Sequence, residues 1–147
     1  MIYFDTAYIA KCYLDEPGSR EVQAVAESAP GLCSCEIARV EFVATLHRHF
    51  REGRLRRQQL GRVLSLFEQD ERDAVWSWLP VTSDLVRATC HVLGRLPKTA
   101  FIRSADALHL QCARENGHDR IYTNDRHIVA AAPHFGLAAT NVIAQAG

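Results

Sequence analysis

Short apolar runs and longer amphipathic stretches alternate from one end of the chain to the other, and this alternation constrains the fold more than any other feature. Ile2-Tyr3-Phe4 reads as a buried strand ending at Asp5. Thr6 is placed to cap a helix running to about Leu14, before the Glu16-Pro17-Gly18 break. A second helix opens at Ser19, and Leu32-Cys33-Ser34 follows Pro30-Gly31 as a short strand. From Glu36 to about Glu52, Ile37, Val40, Val43, Ala44 and His47 recur at helical spacing before Gly53. A helix from about Arg57 to Ala74 precedes the alternating run Val75 to Val81, read as a strand, and Ser83 opens the next helix. Lys98 to Phe101 reads as loop. Ser104 is placed to cap a helix from Ala105 to Glu115, which stops at Asn116-Gly117. Arg120 to Thr123 is a strand leading into a helix at Asp125, and Leu137 to Val142 closes the chain as a strand.

Strands alternating with helices imply a parallel sheet covered on both faces. The expected fold is therefore a three-layer α/β/α sandwich around a central, mainly parallel sheet. With 147 residues, 48% of them apolar, one domain over 1–147 is expected, burying roughly 68–70% of its unfolded surface. No repeat or low-complexity linker divides it. Open α/β sheets bind ligands outside the carboxyl ends of their strands, where Asp5 and Asn124-Asp125 fall.

No apolar run approaches the roughly 20 residues that span a bilayer, and an acid interrupts the N-terminal stretch where a signal peptide needs a basic and then an apolar region. No membrane association and a cytoplasmic location are the expectations. The five cysteines, at irregular spacing and without a CxxC pair, read as small buried thiols rather than as disulfides or a zinc site.

With 17 Lys+Arg against 17 Asp+Glu, overall positive charge does not drive nucleic-acid binding. Most acids lie in polar stretches such as Glu68 to Asp73, a solvated helix face. Asp5, Glu41, Asp106 and Asp125 instead lie among apolar neighbours or at helix starts. Gathering carboxylates costs repulsion and desolvation, which a divalent cation relieves, and oxygen donors suit Mg²⁺ or Mn²⁺. The chemistry implied is phosphodiester hydrolysis. Helix capping is the competing reading, above all for Asp106 and Asp125. An aspartyl-phosphate phosphatase also places an acid at the end of strand one, but it wants a second acid two positions later, where Ala7 stands.

The run Ile2 to Lys11, the helix Ala38-Arg39-Val40-Glu41-Phe42, the segment Ser104 to Gln111 and Tyr122-Thr123-Asn124-Asp125-Arg126, in this order and spacing, resemble the PIN domain. Within it, they are most similar to the VapC-type toxin ribonucleases of prokaryotic type II toxin–antitoxin pairs. The resemblance covers essentially the whole chain. It implies a Mg²⁺- or Mn²⁺-dependent endoribonuclease acting on single-stranded RNA, with Asp5, Glu41, Asp106 and Asp125 as both catalytic and metal-binding acids. It also implies a Ser/Thr hydroxyl near them: Thr123 is the stronger candidate and Thr6 the weaker, Thr6 being equally readable as an N-cap, and Asn124 is a further supporting residue. A homodimer and neutralisation by a small VapB-type antitoxin are implied too. Asn124-Asp125 leaves open whether the last acid binds metal directly or through water, and Asp119 is the less favoured substitute. The alternative reading is a catalytically weak or inactive PIN-fold module that binds RNA or protein.

The sharpest charge asymmetry is the stretch His47 to Arg62, with six arginines against Glu52. It reads either as a solvated helical hairpin or as a guide for RNA or an acidic antitoxin segment. Lys11, on the helix after Asp5, and Arg103, just before Asp106, are alternative phosphate contacts. The seven histidines show no zinc-ligand spacing. His109 lies three residues after Asp106 on the same helical face, where packing is favoured over chemistry. Trp76 and Trp78 share one strand face and read as core or dimer surface rather than a base-stacking platform.

Overall fold

A computed structural model describes residues 1–143 of the chain. The elements follow the order β1 (Ile2–Tyr3), α1 (Thr6–Tyr13), α2 (Ser19–Ser28), β2 (Leu32–Cys35), α3 (Ile37–Arg51) and α4 (Arg57–Arg72). They continue with β3 (Trp76–Leu79), α5 (Ser83–Leu93), α6 (Ser104–Glu115), β4 (Arg120–Tyr122), α7 (Arg126–Ala131), a 3-10 turn (Ala132–Phe135) and β5 (Ala138–Thr140). The alternation expected from the sequence is thus present. The strands are shorter than the apolar runs suggested, because pairing stops where the flanking backbone turns into caps and loops.

Every named strand pair is parallel. β1, β2 and β3 form one sheet in that order, and β4 pairs with β5. A single parallel bridge, Phe4 to Tyr122, joins the two sheets, and the Asp5 N–H donates to the Tyr122 carbonyl at 3.2 Å. Across that seam the strands run β3-β2-β1-β4-β5. The chain therefore steps outward in one direction after β1 and in the opposite direction from β4. That reversal opens a crevice at the carboxyl ends of β1 and β4.

The period-two alternation of the strands sorts their side chains into two cores. Tyr3, Cys33 and Cys35 face α5, α6 and α7, packing with Leu110, Ala113 and Ile128. Phe4, Leu32 and Trp76 face α1 to α4, packing with Ile9, Phe42 and Phe67. Apolar layers on both faces make the three-layer sandwich. Trp76 is buried and stacks on Trp78 at 5.7 Å, and Trp78 meets Phe67 edge to face. These indoles are core, as expected. Cys33, Cys35 and Cys112 are buried and Cys12 is half-buried, whereas Cys90 is exposed on α5, at variance with the buried-thiol reading. No helix among the described residues is long and apolar enough to cross a membrane.

Two caps differ from expectation. Asp5, not Thr6, is the N-cap of α1, and its Oδ1 accepts the Tyr8 N–H at 2.9 Å. Arg103 holds the N-cap position of α6 without a side-chain bond, and Ser104 is already the first helical residue. In both cases the chain enters the helix one residue earlier than the small hydroxyl residue suggested, which frees Thr6 for a tertiary contact. α5 opens at Ser83 as the sequence implies, with Thr82 as its N-cap.

Candidate active site

Asp5 leaves β1 at the crevice and is almost wholly buried, at 2% exposure. Its Oδ1 serves α1 through Tyr8, and its Oδ2 accepts the Thr123 hydroxyl. Thr123, fully buried just past β4, also accepts the Asp125 N–H at 2.9 Å. One hydroxyl thus ties the end of β1 to the start of α7, across the seam between the sheets. Burial pushes the Asp5 carboxyl up to about 6, against the hydrogen bonds from Thr123 and Tyr8 and the pull of His109, and the Asp125 charge adds to the rise.

Glu41 projects from α3. Its Oε1 accepts the Thr6 hydroxyl at 2.8 Å and the His109 Nε2–H at 2.7 Å. His109 is 1% exposed, and its Nδ1 meets the Tyr3 hydroxyl at 2.9 Å; that hydroxyl also accepts the Cys35 N–H at 3.0 Å. A buried line therefore runs from the β2 backbone through Tyr3 and His109 to Glu41. Desolvation opposes charge on both end groups, but their hydrogen bond and attraction outweigh it. The imidazole is held above its ordinary value and the carboxyl below.

Asp106 lies in the first turn of α6, half-buried. Desolvation raises its carboxyl, and the charges of Asp125 and Glu41 raise it further, while His109 and Arg103 pull it down. Asp125 caps α7, its Oδ1 accepting the His127 N–H at 2.7 Å and the Ile128 N–H at 3.4 Å. The capping reading therefore holds for Asp125 alongside any other role.

The four acids thus come from four separate elements into one electrostatic neighbourhood: Asp5 feels Asp125, and Asp106 feels Asp125 and Glu41. Among the described residues no three acid, His or Cys side chains close into a ready-made cation cage. The donor chemistry nonetheless fits a hard divalent cation. Glu41 and Asp125 each concentrate their bonds on one oxygen, and among the described residues Oε2 and Oδ2 take no hydrogen bond. Asp106, with raised affinity for a proton and, among the described residues, no hydrogen bond to its carboxylate, is only partly offset by the His109 and Arg103 charges.

Of the other sequence candidates, Thr123 and Thr6 both touch an acid, and the N-cap reading of Thr6 gives way to its bond with Glu41. Asn124 and Arg103 are exposed beside Asp125 and Asp106. Lys11 does not reach out as a phosphate contact. It is 7% exposed, and its ammonium is bound to Glu16 at 3.0 Å and to the Pro17 carbonyl at 2.9 Å, because the turn after α1 folds back over it. A groove of about 410 Å³ beside Glu41 is lined by Thr6, Glu16, Arg48 and His49, so the arginine-rich stretch borders that acid. Sequence reasoning passed over Tyr3 and favoured mere packing for His109. The same-face spacing of Asp106 and His109 was the available signal, but nothing local announces a Tyr3 contact 106 positions away.

Residues 2–132 match the family model of the PIN domain. No curated protein matches the sequence. Among solved structures, the chain is similar to VapC20 of Mycobacterium tuberculosis, a toxin that cleaves the sarcin–ricin loop. The TM-score is 0.71 at 19% identity, covering 89% of this chain and 95% of that one. It is also similar to VapBC2 of Rickettsia felis bound to a promoter DNA fragment, with TM-score 0.67 and 14% identity over 96% and 98% of the two chains. FitAB bound to a DNA fragment aligns over 100% of this chain and 99% of that one, with TM-score 0.62 and 16% identity.

Proposed function

The chain belongs to the PIN-domain family, and from that membership we propose that it is a VapC-type endoribonuclease toxin that hydrolyses single-stranded RNA with Mg²⁺ or Mn²⁺. The observation that carries the reading is the set of four acids at the β1/β4 crevice, with carboxylate oxygens left free by the protein's own hydrogen bonds. Asp5, Glu41, Asp106 and Asp125 would hold the cation. When bound, it offsets the crowded negative charge, polarises the scissile phosphate as a Lewis acid and makes water a better nucleophile.

The chain's own groups do the rest. Thr123 fixes Asp5 and the start of α7 relative to each other, so that two of the acids keep a set separation. His109 and Thr6 hold one oxygen of Glu41 and so fix the orientation of its carboxylate. Burial of Asp5 keeps water away from the rear of the site. Arg48 supplies positive charge along the adjoining groove, where it would steer a phosphate backbone without reading its sequence. A homodimer and a VapB-type antitoxin that neutralises the toxin belong to the same reading, supported by the likeness to VapBC2 and FitAB.

The test is cleavage of single-stranded RNA by the purified chain. We expect hydrolysis with Mg²⁺ or Mn²⁺ and none in excess chelator. Undiminished cleavage in chelator would overturn the metal-dependent mechanism.

A further inference from the structure

The segment between α5 and α6 turns at Pro97, whose carbonyl accepts the Ala100 N–H at 2.9 Å, and then passes through Phe101 to the start of α6. Phe101 is 56% exposed and belongs to neither core. Its ring stands against the imidazole of His127, with centroids 4.6 Å apart and planes inclined at 58°. His127 lies in the first turn of α7, and its N–H is bound to Asp125. The loop before Asp106 and the helix capped by Asp125 thus meet through two rings. Arg103 and Arg126, both exposed, flank the pair in sequence.

A large ring left partly in water forgoes burial that would favour folding. Fixing it beside an imidazole, with an exposed arginine within two residues of each ring and Asp106 and Asp125 on the same two segments, suits one occupant: a flat, apolar-faced group carried on an anionic backbone. We propose that Phe101 and His127 form a stacking platform for one unpaired nucleobase of the RNA strand, with Arg103 and Arg126 meeting the adjoining phosphates. The proposal rests on the ribonuclease reading and specifies how that site takes its strand. A base in a duplex already has both faces stacked, so the platform selects single strands. Every base has a π-face, so it selects little among sequences.

The experiment uses a single-stranded oligoribonucleotide carrying 2-aminopurine, whose fluorescence falls when it stacks. The full chain with Asp5→Asn serves as a slow-cleaving background in Mg²⁺, and cleavage is measured in parallel on chains with native Asp5. Phe101→Ala should weaken binding about tenfold and abolish the quench, in line with loss of one base–aromatic stack. Phe101→Leu, apolar but without a π-face, should lose as much, whereas Phe101→Trp should bind at least as tightly as Phe101. Because the ring is exposed, all three variants should melt with their parent. A duplex of the same sequence should give no Phe101-dependent quench. A Phe101-dependent quench in a chain that cleaves nothing would keep the platform and sink the nuclease reading. RNA cleavage with the same KM in Phe101→Ala, or a Phe101→Leu variant binding like the parent, would keep the nuclease and overturn the platform. A chain that neither binds nor cleaves RNA would overturn both.

Discussion

Replacing Asp5 with Asn separates a structural acid from one kept for binding a cation. In the metal-free protein, the carboxyl of Asp5 is pushed by burial from 3.8 to about 6, so the folded state holds this proton more tightly than the unfolded chain does. That rise corresponds to about 3 kcal/mol, present below the unfolded value and lost as pH climbs through the folded one. At neutral pH the native protein therefore carries the full cost of a buried charge. Asn carries no charge, and its carbonyl can still accept the Tyr8 N–H and keep the cap. Its amide faces the Thr123 hydroxyl, whose hydrogen loses a charged acceptor, at a cost of about 1 kcal/mol. The balance favours the variant by about 2 kcal/mol, a rise in Tm of roughly 4–8 °C for a chain of this size. The advantage should vanish by about pH 4.5, where the folded wild type is largely protonated at this position. Thermal melting in chelator at pH 7.5 and pH 4.5 measures both limits, and Mg²⁺ should then raise the wild-type Tm more than that of the variant. RNA cleavage should fall by orders of magnitude. A variant that melts below wild type at pH 7.5 without metal, or whose advantage is the same at both pH values, would refute the buried-charge argument. Wild-type cleavage by Asp5→Asn would refute its role as a ligand.

Thr123→Val keeps the shape but removes both the donor to Asp5 and the acceptor of the Asp125 N–H. We expect a loss of about 2–3 kcal/mol in urea unfolding and at least a tenfold loss of cleavage, and unchanged stability would show that the hydroxyl bridge is unimportant. His109→Gln can still donate to Glu41 but does not span to Tyr3 as well, so it should cost about 2 kcal/mol and lower kcat with little change in KM. The His109–Glu41 attraction holds the imidazole's proton above its ordinary value, so the stability it provides is present at low pH and lost as pH rises through that value. The stability gap between wild type and His109→Gln should accordingly narrow in alkaline urea titrations, and a gap that widened would reverse the assigned sign.

The sandwich was legible because strand and helix periods survive in the apolar pattern whatever lies far away in sequence. Tyr3 and Phe4 face opposite cores for the same reason that alternate residues of any strand do. The four acids stood out because a charge among apolar neighbours needs an explanation, and the structure brings them into one electrostatic neighbourhood. What failed were readings in which a side chain chooses between a local and a distant partner. Thr6 had an ordinary local use as a cap, but Asp5, one residue earlier, took it, and Glu41, 35 positions on, gained the hydroxyl. Lys11 looked like a free cation until the Glu16-Pro17 turn closed over it. Phe101 carried no signal at all, since an isolated aromatic in a loop is as readily a core anchor as an exposed ring.

The same topology explains why the site is costly as well as where it lies. Reversal of strand order on either side of β1 leaves its carboxyl end beside β4, and the Phe4–Tyr122 bridge closes that seam with Asp5 just beyond it. An acid there must be buried. A chain shaped only for stability would carry Asn or Ser at this cap, either of which takes the Tyr8 N–H without the charge. Instead, Thr123 and Tyr8 stabilise the carboxylate only partly, and its proton affinity stays high. Asp106, whose carboxyl is also raised, sits in the same neighbourhood. Two carboxylates of raised proton affinity in one neighbourhood are a cost to folding that a bound cation would offset under the proposed function. That is the physical reason to place the chemistry at this crevice rather than at the grooves elsewhere on the surface.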